Sequence, residues 1–341
     1  MYRKALISAA LLLCACWGGP KQREVRFFTW GSYDDPAAFE EFEQKTGIKV
    51  VVSRYASNEE MLAKFMGGAR GYDVVVPSDY MVAVMARQGL LQDLEKSKLP
   101  NLKHTDPHFL DLYYDRGNQH CVPYLWGVTG IGYDADKVKP APDSWAVLWD
   151  ARYKNRISLL NDQREVIAMG LQAAGLKADN HDAAALAQVE RRLIEQKKLV
   201  KTYVSDNMEA VLMSGEVDIS HVWSGDVNRV MDDKPSLRFA IPKEGGIIWQ
   251  DNLCIPVGAP DRDAALAFMD FLMEPRIVAR LVEKIRFGCP NKTASELLPE
   301  QLRKNPTIVP QDAVIKKLQW IPDPGEAGQL YDRLWTELKA S

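Results

Sequence analysis

Residues 48–68, "IKVVVSRYASNEEMLAKFMGG", contain one complete strand–turn–helix unit. The run from Ile48 to Tyr55 is rich in β-branched residues and reads as a strand. It breaks at "SNEE", where Ser57 and Glu60 have the spacing of a capping box, and the helix that follows stops at Gly67 and Gly68. The same unit recurs on both sides. "VRFFT" (25–29) precedes a helix whose cap and first turn are Asp35 and Pro36, with Phe39 and Phe42 on one face and Gly47 as the stop. "DVVVP" (73–77) leads into "SDYMVAVMARQG" (78–89). Further on, "RISLL" (156–160) precedes "NDQREVIAMGL", "TYV" (202–204) precedes "SDNMEAVLMSG", and "VDISHVW" (217–223) precedes "SGDVNRVMDD". Strands alternating with helices at this spacing imply an α/β fold with parallel sheets and right-handed crossovers. At 341 residues the chain exceeds what one core usually holds, so two domains are expected. No Pro, Gly or Ser-rich linker separates them, which predicts direct, extended crossings.

The amino end reads as an export signal. Arg3 and Lys4 precede an apolar stretch, Ala5–Leu13, that is too short to span a bilayer. It ends in "LCAC", which resembles a lipobox with Cys16 as the lipidated residue, so residues 1–16 are expected to be a signal peptide and Cys16 a membrane anchor. The formal net charge is −3 and becomes more acidic once Arg3 and Lys4 are removed, which argues against nucleic acid as a partner. Beyond the signal stand Cys121, Cys254 and Cys289, enough for at most one intramolecular disulfide, and no CxxC pair is present. The five histidines form no ligand cluster; His104 and His108 have helical spacing, but Pro107 lies between them. No metal or other cofactor is expected.

In open α/β sheets, ligands bind beyond the carboxyl ends of the strands. Those positions hold Trp30 and Tyr33, Ser78 and Tyr80, Asp162 and Glu165, Ser205 and Asp206, and Trp223. "IIWQDN" (247–252) adds Trp249 and Asp251, which face the same side of a strand because they are two residues apart. Each has a plain structural reading: Asp162 with Glu165 as a helix start, Ser78 and Ser205 as caps, the tryptophans as core. Their recurrence at several strand ends favours a shared site. Its residues are aromatic and acidic, with no lysine and only one arginine, Arg164. Ring walls with carboxylate ends suit a slender organic cation.

"FFTWGSY", "TGIKVVVSRYASNEEMLAKF", "YDVVVPSDYMV", "VPYLWGVTGIGY", "LLNDQREVIAMGL", "SGEVDISHVWSG" and "PKEGGIIWQDNLCIP" together resemble the spermidine/putrescine-binding proteins of bacterial ATP-binding-cassette importers, in order from about residue 25 to 338. The resemblance implies a two-lobed periplasmic-binding fold of type II, each lobe a mainly parallel sheet flanked by helices, with the ligand cleft between lobes. It places one lobe at 25–127 plus 252–296 and the other at 128–251 plus 297–341. It implies a polyamine as ligand and the membrane permease of an importer as partner, and a location in the periplasm or cell envelope. Trp30, Tyr33, Tyr80, Trp223 and Trp249 match the family's aromatic positions, Asp162, Glu165 and Asp251 its carboxylates, and Ser205 a polar contact. This chain departs from the family at Gly31 and Ser32, at Phe287 where tyrosine is frequent, and at Ile321 where glutamine is typical. Ser32, Phe287 and Ile321 therefore mark a less polar end of the site, which Asp34 or Asp35 compensates if its loop reaches inward.

Two other functions stay open at this point. One is a carbohydrate-binding protein of the same fold, because aromatics also stack on sugars. The other is an exported glycoside hydrolase using Asp162 and Glu165. Residues three apart on a helix lie roughly 5–6 Å apart at Cβ and project the same way, whereas glycosidase acids flank a bond.

Overall fold

The computed structural model describes residues 22–205, 207–309 and 311–341. Residues 1–16, expected to be an export signal ending at Cys16, and Asp206 lie outside the described residues. Among those described, nine strands form one continuous sheet: β1 (Glu24–Trp30), β2 (Lys49–Tyr55), β3 (Val74–Val75), β4 (Cys121–Asp134), β5 (Ile157–Leu159), β6 (Val200–Tyr203), β7 (Ile219–Trp223), β8 (Leu237–Ala240) and β9 (Ile247–Cys254). Their order is β2-β1-β3-β9-β4-β7-β5-β6, with β8 also on β4. Helices that bear on the site are α1 (Pro36–Thr46), α2 (Asn58–Met66), α3 (Asp79–Arg87), α4 (Gln163–Ala173), α5 (Ala183–Lys197), α6 (Met208–Ser214), α7 (Ser224–Val230), α8 (Arg262–Leu272) and α9 (Pro275–Ile285).

The parallel trios expected from the strand–helix units are present at both ends: β2-β1-β3 and β7-β5-β6. Between them the sheet is antiparallel, because β4 and β9 are long extended strands that carry the chain across and pair with each other from Cys121–Cys254 to Thr129–Ile247. The two halves are thus joined through backbone hydrogen bonds rather than through a flexible linker. β3 holds only two ladder residues, Val74 and Val75, and Pro77, two residues on, has no N–H to donate.

Local signals act where the sequence places them. Asp35 accepts the Ala38 N–H at 3.3 Å, and Gly47 closes α1 in the left-handed region at φ 72°. Ser57 accepts the Glu60 N–H at 3.1 Å, while the Glu60 carboxylate returns to the N–H of Ala56, one residue before the position a capping box uses.

Each half has its own core on both faces of the sheet. Alternate residues of β1 point to opposite sides, so Phe27 joins Phe42, Phe268 and Val282 while Phe28 joins Tyr55, Met61 and Met81. In the other half, Ile157, Leu159, Val166 and Leu193 pack with Tyr331, Leu334 and Leu338 of the C-terminal helix Gly328–Ala340. A smaller cluster of Leu160, Leu212, Val222 and Val227 covers the other face.

A disulfide links Cys121 to Cys254, at the start of β4 and the end of β9, and Cys289 is free and buried. No helix among the described residues is long and apolar enough to cross a membrane, and they contain no group of three or more His, Cys, Asp or Glu placed to hold a metal ion.

Candidate functional site

A cleft of about 920 Å³ opens where the strand ends of the two halves face one another. Trp30, Tyr33, Ser78, Tyr80, Asp162, Glu165, Ser205, Trp223, Trp249 and Asp251 all line it, and so do Ser32, Phe287 and Ile321. The structure therefore gathers every candidate side chain within the described residues into one space, although they span almost 300 positions of the chain. What each does there follows from its neighbours.

Trp249 sits opposite Gly127 across the β4–β9 pair, and its indole lies over that glycine. A Cβ at position 127 would come within 2.2 Å of the ring, so the glycine is what allows the tryptophan to lie flat as a cleft wall. Gly225 makes the same allowance for the Phe287 ring, at 2.3 Å. The rings of Trp249 and Phe287 meet edge to face at 5.1 Å, which fixes one aromatic corner of the cleft.

Asp251 lies two residues beyond Trp249 on the same face of β9 and is 3% exposed. The Ser78 hydroxyl donates to one carboxylate oxygen at 2.6 Å and the Tyr33 hydroxyl to the other. Burial pushes this carboxyl up to about 6, against the two hydrogen bonds that favour its ionised form. Ser78 is thus not a capping residue. It stands at the N-cap position of α3 and makes no side-chain capping bond, because its hydroxyl is turned to Asp251. Ser205 is not a cap either; its Oγ accepts the N–H of Asn161 at 3.0 Å, and α6 starts after Asn207.

Glu165, in the first turn of α4, is 6% exposed. Its Oε1 accepts from Thr129 Oγ1 at 2.9 Å and from the Trp223 indole N–H at 3.1 Å, while Oε2 is buried with no partner. Burial, and then the neighbouring Asp162, push the carboxyl up to about 8. Asp162 serves both as cap and as cleft acid: its Oδ1 accepts the N–H groups of Arg164 and Glu165 at 2.9 and 3.0 Å, and burial raises its pKa. The glycosidase reading fails here, since an acid spent on capping the same turn leaves no pair flanking a bond.

Several cleft residues carry no strand-end signal of the kind used above. Seven carboxylates and three guanidiniums line the cleft, where a single arginine was expected, and the described lining contains no lysine. Two of the arginines are neutralised on the spot. Arg54 pairs with Asp34, and Arg229 with Glu209 and Asp226. Asp34 is therefore turned to Arg54, and Asp35 caps α1 and pairs with Arg280, so neither supplies the less polar end of the cleft. Asn58 was also missed. Its amide donates to Ser78 Oγ and to Tyr80 OH, both at 3.0 Å, and so holds both side chains in place. Arg54 lies in β2 and Asn58 opens α2 just beyond it; the sequence reading passes over this strand end, although its Tyr55 and Glu60 line the cleft as well. Asp226 lies three residues beyond Trp223 and is pushed up to about 7, chiefly by burial. The arrangement as a whole binds positive charge between rings.

Comparison with known proteins places the chain. Residues 37–310 match the family model for bacterial extracellular solute-binding proteins. The "Spermidine/putrescine-binding periplasmic protein 1" of Haemophilus influenzae is 36% identical over 93% of this chain and 89% of its own length. The solved structure of the spermidine/putrescine ABC transporter substrate-binding protein PotD of Streptococcus pneumoniae superposes with a TM-score of 0.82 at 32% identity, covering 93% of this chain and 99% of that one. The TpPotD lipoprotein of Treponema pallidum superposes with a TM-score of 0.84 at 27% identity, over 92% of this chain and 99% of that one. The chain belongs to the bacterial extracellular solute-binding proteins.

Proposed function

We propose that this solute-binding protein captures a polyamine in the cleft between its two halves and delivers it to an ABC importer. The observation that carries the reading is Glu165. Its Oε2 is buried without a hydrogen-bond partner, no ion pair among the described residues involves Glu165, and it belongs to a cleft walled by Trp223, Trp249 and Tyr80. A buried carboxylate without a positive partner is costly, so the site is complementary to an ammonium group brought by the ligand. Asp251 offers a second carboxylate, and the methylenes between two ammonium groups pack on the rings. The relatives whose printed names are spermidine- and putrescine-binding support the ligand class. A protein of this kind is a carrier, not an enzyme.

In this reading the halves are lobes that close on the ligand. Leu298, Leu302 and Ile308 pack in the core built on β1, so the first lobe is best drawn as 25–127 plus 252–308, twelve residues beyond the sequence-based boundary at 296. The protein works outside the cytoplasmic membrane, in keeping with its periplasmic relative. Its partner there is the importer's permease, and Cys16 is its lipid anchor; a lipoprotein among its structural relatives supports the anchor. Replacing Cys16 by alanine then releases the protein from the membrane fraction.

Calorimetric titration with putrescine, spermidine and a neutral sugar tests the ligand. Polyamine binding with no sugar heat is expected. Sugar binding alone refutes the polyamine reading and revives the carbohydrate alternative.

A further inference from the structure

Arg164 is the third cleft arginine, and the shorter of its two ion pairs, to Glu59, reaches the facing half. It projects from the first turn of α4, between the two acids Asp162 and Glu165, and crosses to the opposite half of the molecule. There its guanidinium lies over the Tyr80 ring at 4.0 Å from the ring centre. Its Nε stands 3.8 Å from the carboxylate of Glu59 at the start of α2, while its Nη2 lies 3.9 Å from Asp323 of its own half. Asp323 is in turn gripped by Arg87 at the end of α3, at 2.6 Å. The Arg164 side chain is only 17% exposed, and both Nε and Nη1 are buried without a hydrogen-bond partner. Tyr80 is itself tied on the far side, its hydroxyl meeting Asn58 and Glu59.

We infer that Arg164 is an interlobe latch: a cation of the protein's own that docks on Tyr80 and Glu59 across the cleft and holds the closed form together alongside the ligand. The geometry explains why a cleft selected for cations retains one. Stacked on the Tyr80 ring and close to the Glu59 carboxylate, the guanidinium uses the recognition chemistry of the site against the facing half. Arg164 is then a positioning residue: it sets how much of the protein is binding-competent and how long a closed complex lasts, and it does not choose between ligands. A ligand's apparent affinity falls in proportion to the competent fraction, by the same factor for every ligand.

The inference rests on the polyamine reading only for its choice of probes. The test compares the full chain with R164M, which keeps a stem over Tyr80 but no charge, and with E59Q, whose side chain is 59% exposed and so leaves folding unaffected. Stopped-flow dissociation of putrescine and of spermidine is expected to quicken in R164M by about three- to thirtyfold, the range of a partly desolvated cation–π contact. The ratio of the two affinities should stay within twofold, R164K should recover part of the loss, and the effects of R164M and E59Q should be less than additive. Unchanged dissociation rates overturn the inference. A change in the affinity ratio beyond threefold also overturns it, by making Arg164 part of ligand recognition. If the wild type binds neither polyamine, the functional proposal fails on its own, and the latch is judged by small-angle scattering without ligand: R164M should be more expanded than wild type, and equal radii of gyration refute it.

Discussion

Replacing Glu165 by glutamine tests the cleft chemistry at its buried, unpartnered carboxylate oxygen. The amide can still accept from Thr129 and Trp223 through its remaining oxygen, so the wall of the cleft is preserved. What is lost is the unpartnered Oε2, replaced by an N–H₂ that faces the ligand as a donor. A hydrogen bond to a charged group is worth about 1.5–3 kcal/mol, roughly a ten- to a hundred-fold rise in the dissociation constant. The pH dependence separates this from a general disturbance. Burial holds the Glu165 carboxyl near 8, so at pH 7 it is protonated about ten to one, and ionising it to receive an ammonium costs about 1.4 kcal/mol. Wild-type affinity should therefore climb by about tenfold per unit from pH 6 toward pH 8 and level off above, with release of a proton on binding at pH 7. In E165Q that climb should disappear. Folding stability gives the opposite trend. A carboxyl whose pKa is raised on folding from 4.5 to about 8 adds stability that is complete below 4.5 and lost as pH rises through 8. The stability of the ligand-free protein should thus fall more gently across that window in E165Q. The assays are calorimetric titration in buffers of different ionisation enthalpy and denaturant unfolding at several pH values. A wild-type affinity that is flat from pH 6 to 8, with E165Q binding equally well, would remove Glu165 from the site.

Asp251→Asn removes the other carboxylate and should weaken binding by a similar 1.5–3 kcal/mol or so, its one remaining oxygen leaving either Ser78 or Tyr33 without an acceptor; wild-type affinity by titration would exclude Asp251 from recognition. Gly127→Ala places a Cβ 2.2 Å from the Trp249 ring and should lower polyamine affinity at least tenfold with the fold retained, as near-ultraviolet dichroism and titration would show; unchanged affinity means that the ring's position is not used. Removing the disulfide with Cys121→Ser and Cys254→Ser should cost about 2–5 kcal/mol in denaturant unfolding, because the bond closes a loop of 133 residues; a loss below about 1 kcal/mol would contradict the estimate. Putrescine and spermidine should compete within about a hundredfold of each other, roughly 2.7 kcal/mol, since Phe287 and Ile321 face the cleft without polar groups; a larger preference for spermidine would show that the altered end still recognises a third ammonium.

Much of this was legible in the chain itself. Asp35, Gly47 and Ser57 act within four residues of where they stand, so their caps could be read directly, and the strand–helix units gave the parallel trios. The recurring aromatics and acids at strand ends were also legible, because strand direction alone decides which end faces the crevice. Tertiary structure decided the rest. Ser78 carries the same local signal as Ser57, and only the approach of Asp251, 173 positions away, turns the Ser78 hydroxyl from its helix to the cleft. Nothing local marks Cys121 as the partner of Cys254, nor β4 and β9 as the strands that fuse two halves into one sheet, since their pairing depends on register over more than a hundred residues. Arg54 and Arg229, unlike Arg164, look like ordinary surface cations in sequence. Their place in an acidic cleft follows from carboxylates brought from the opposite element or the next helix, and that electrostatic company exists only once the chain has folded.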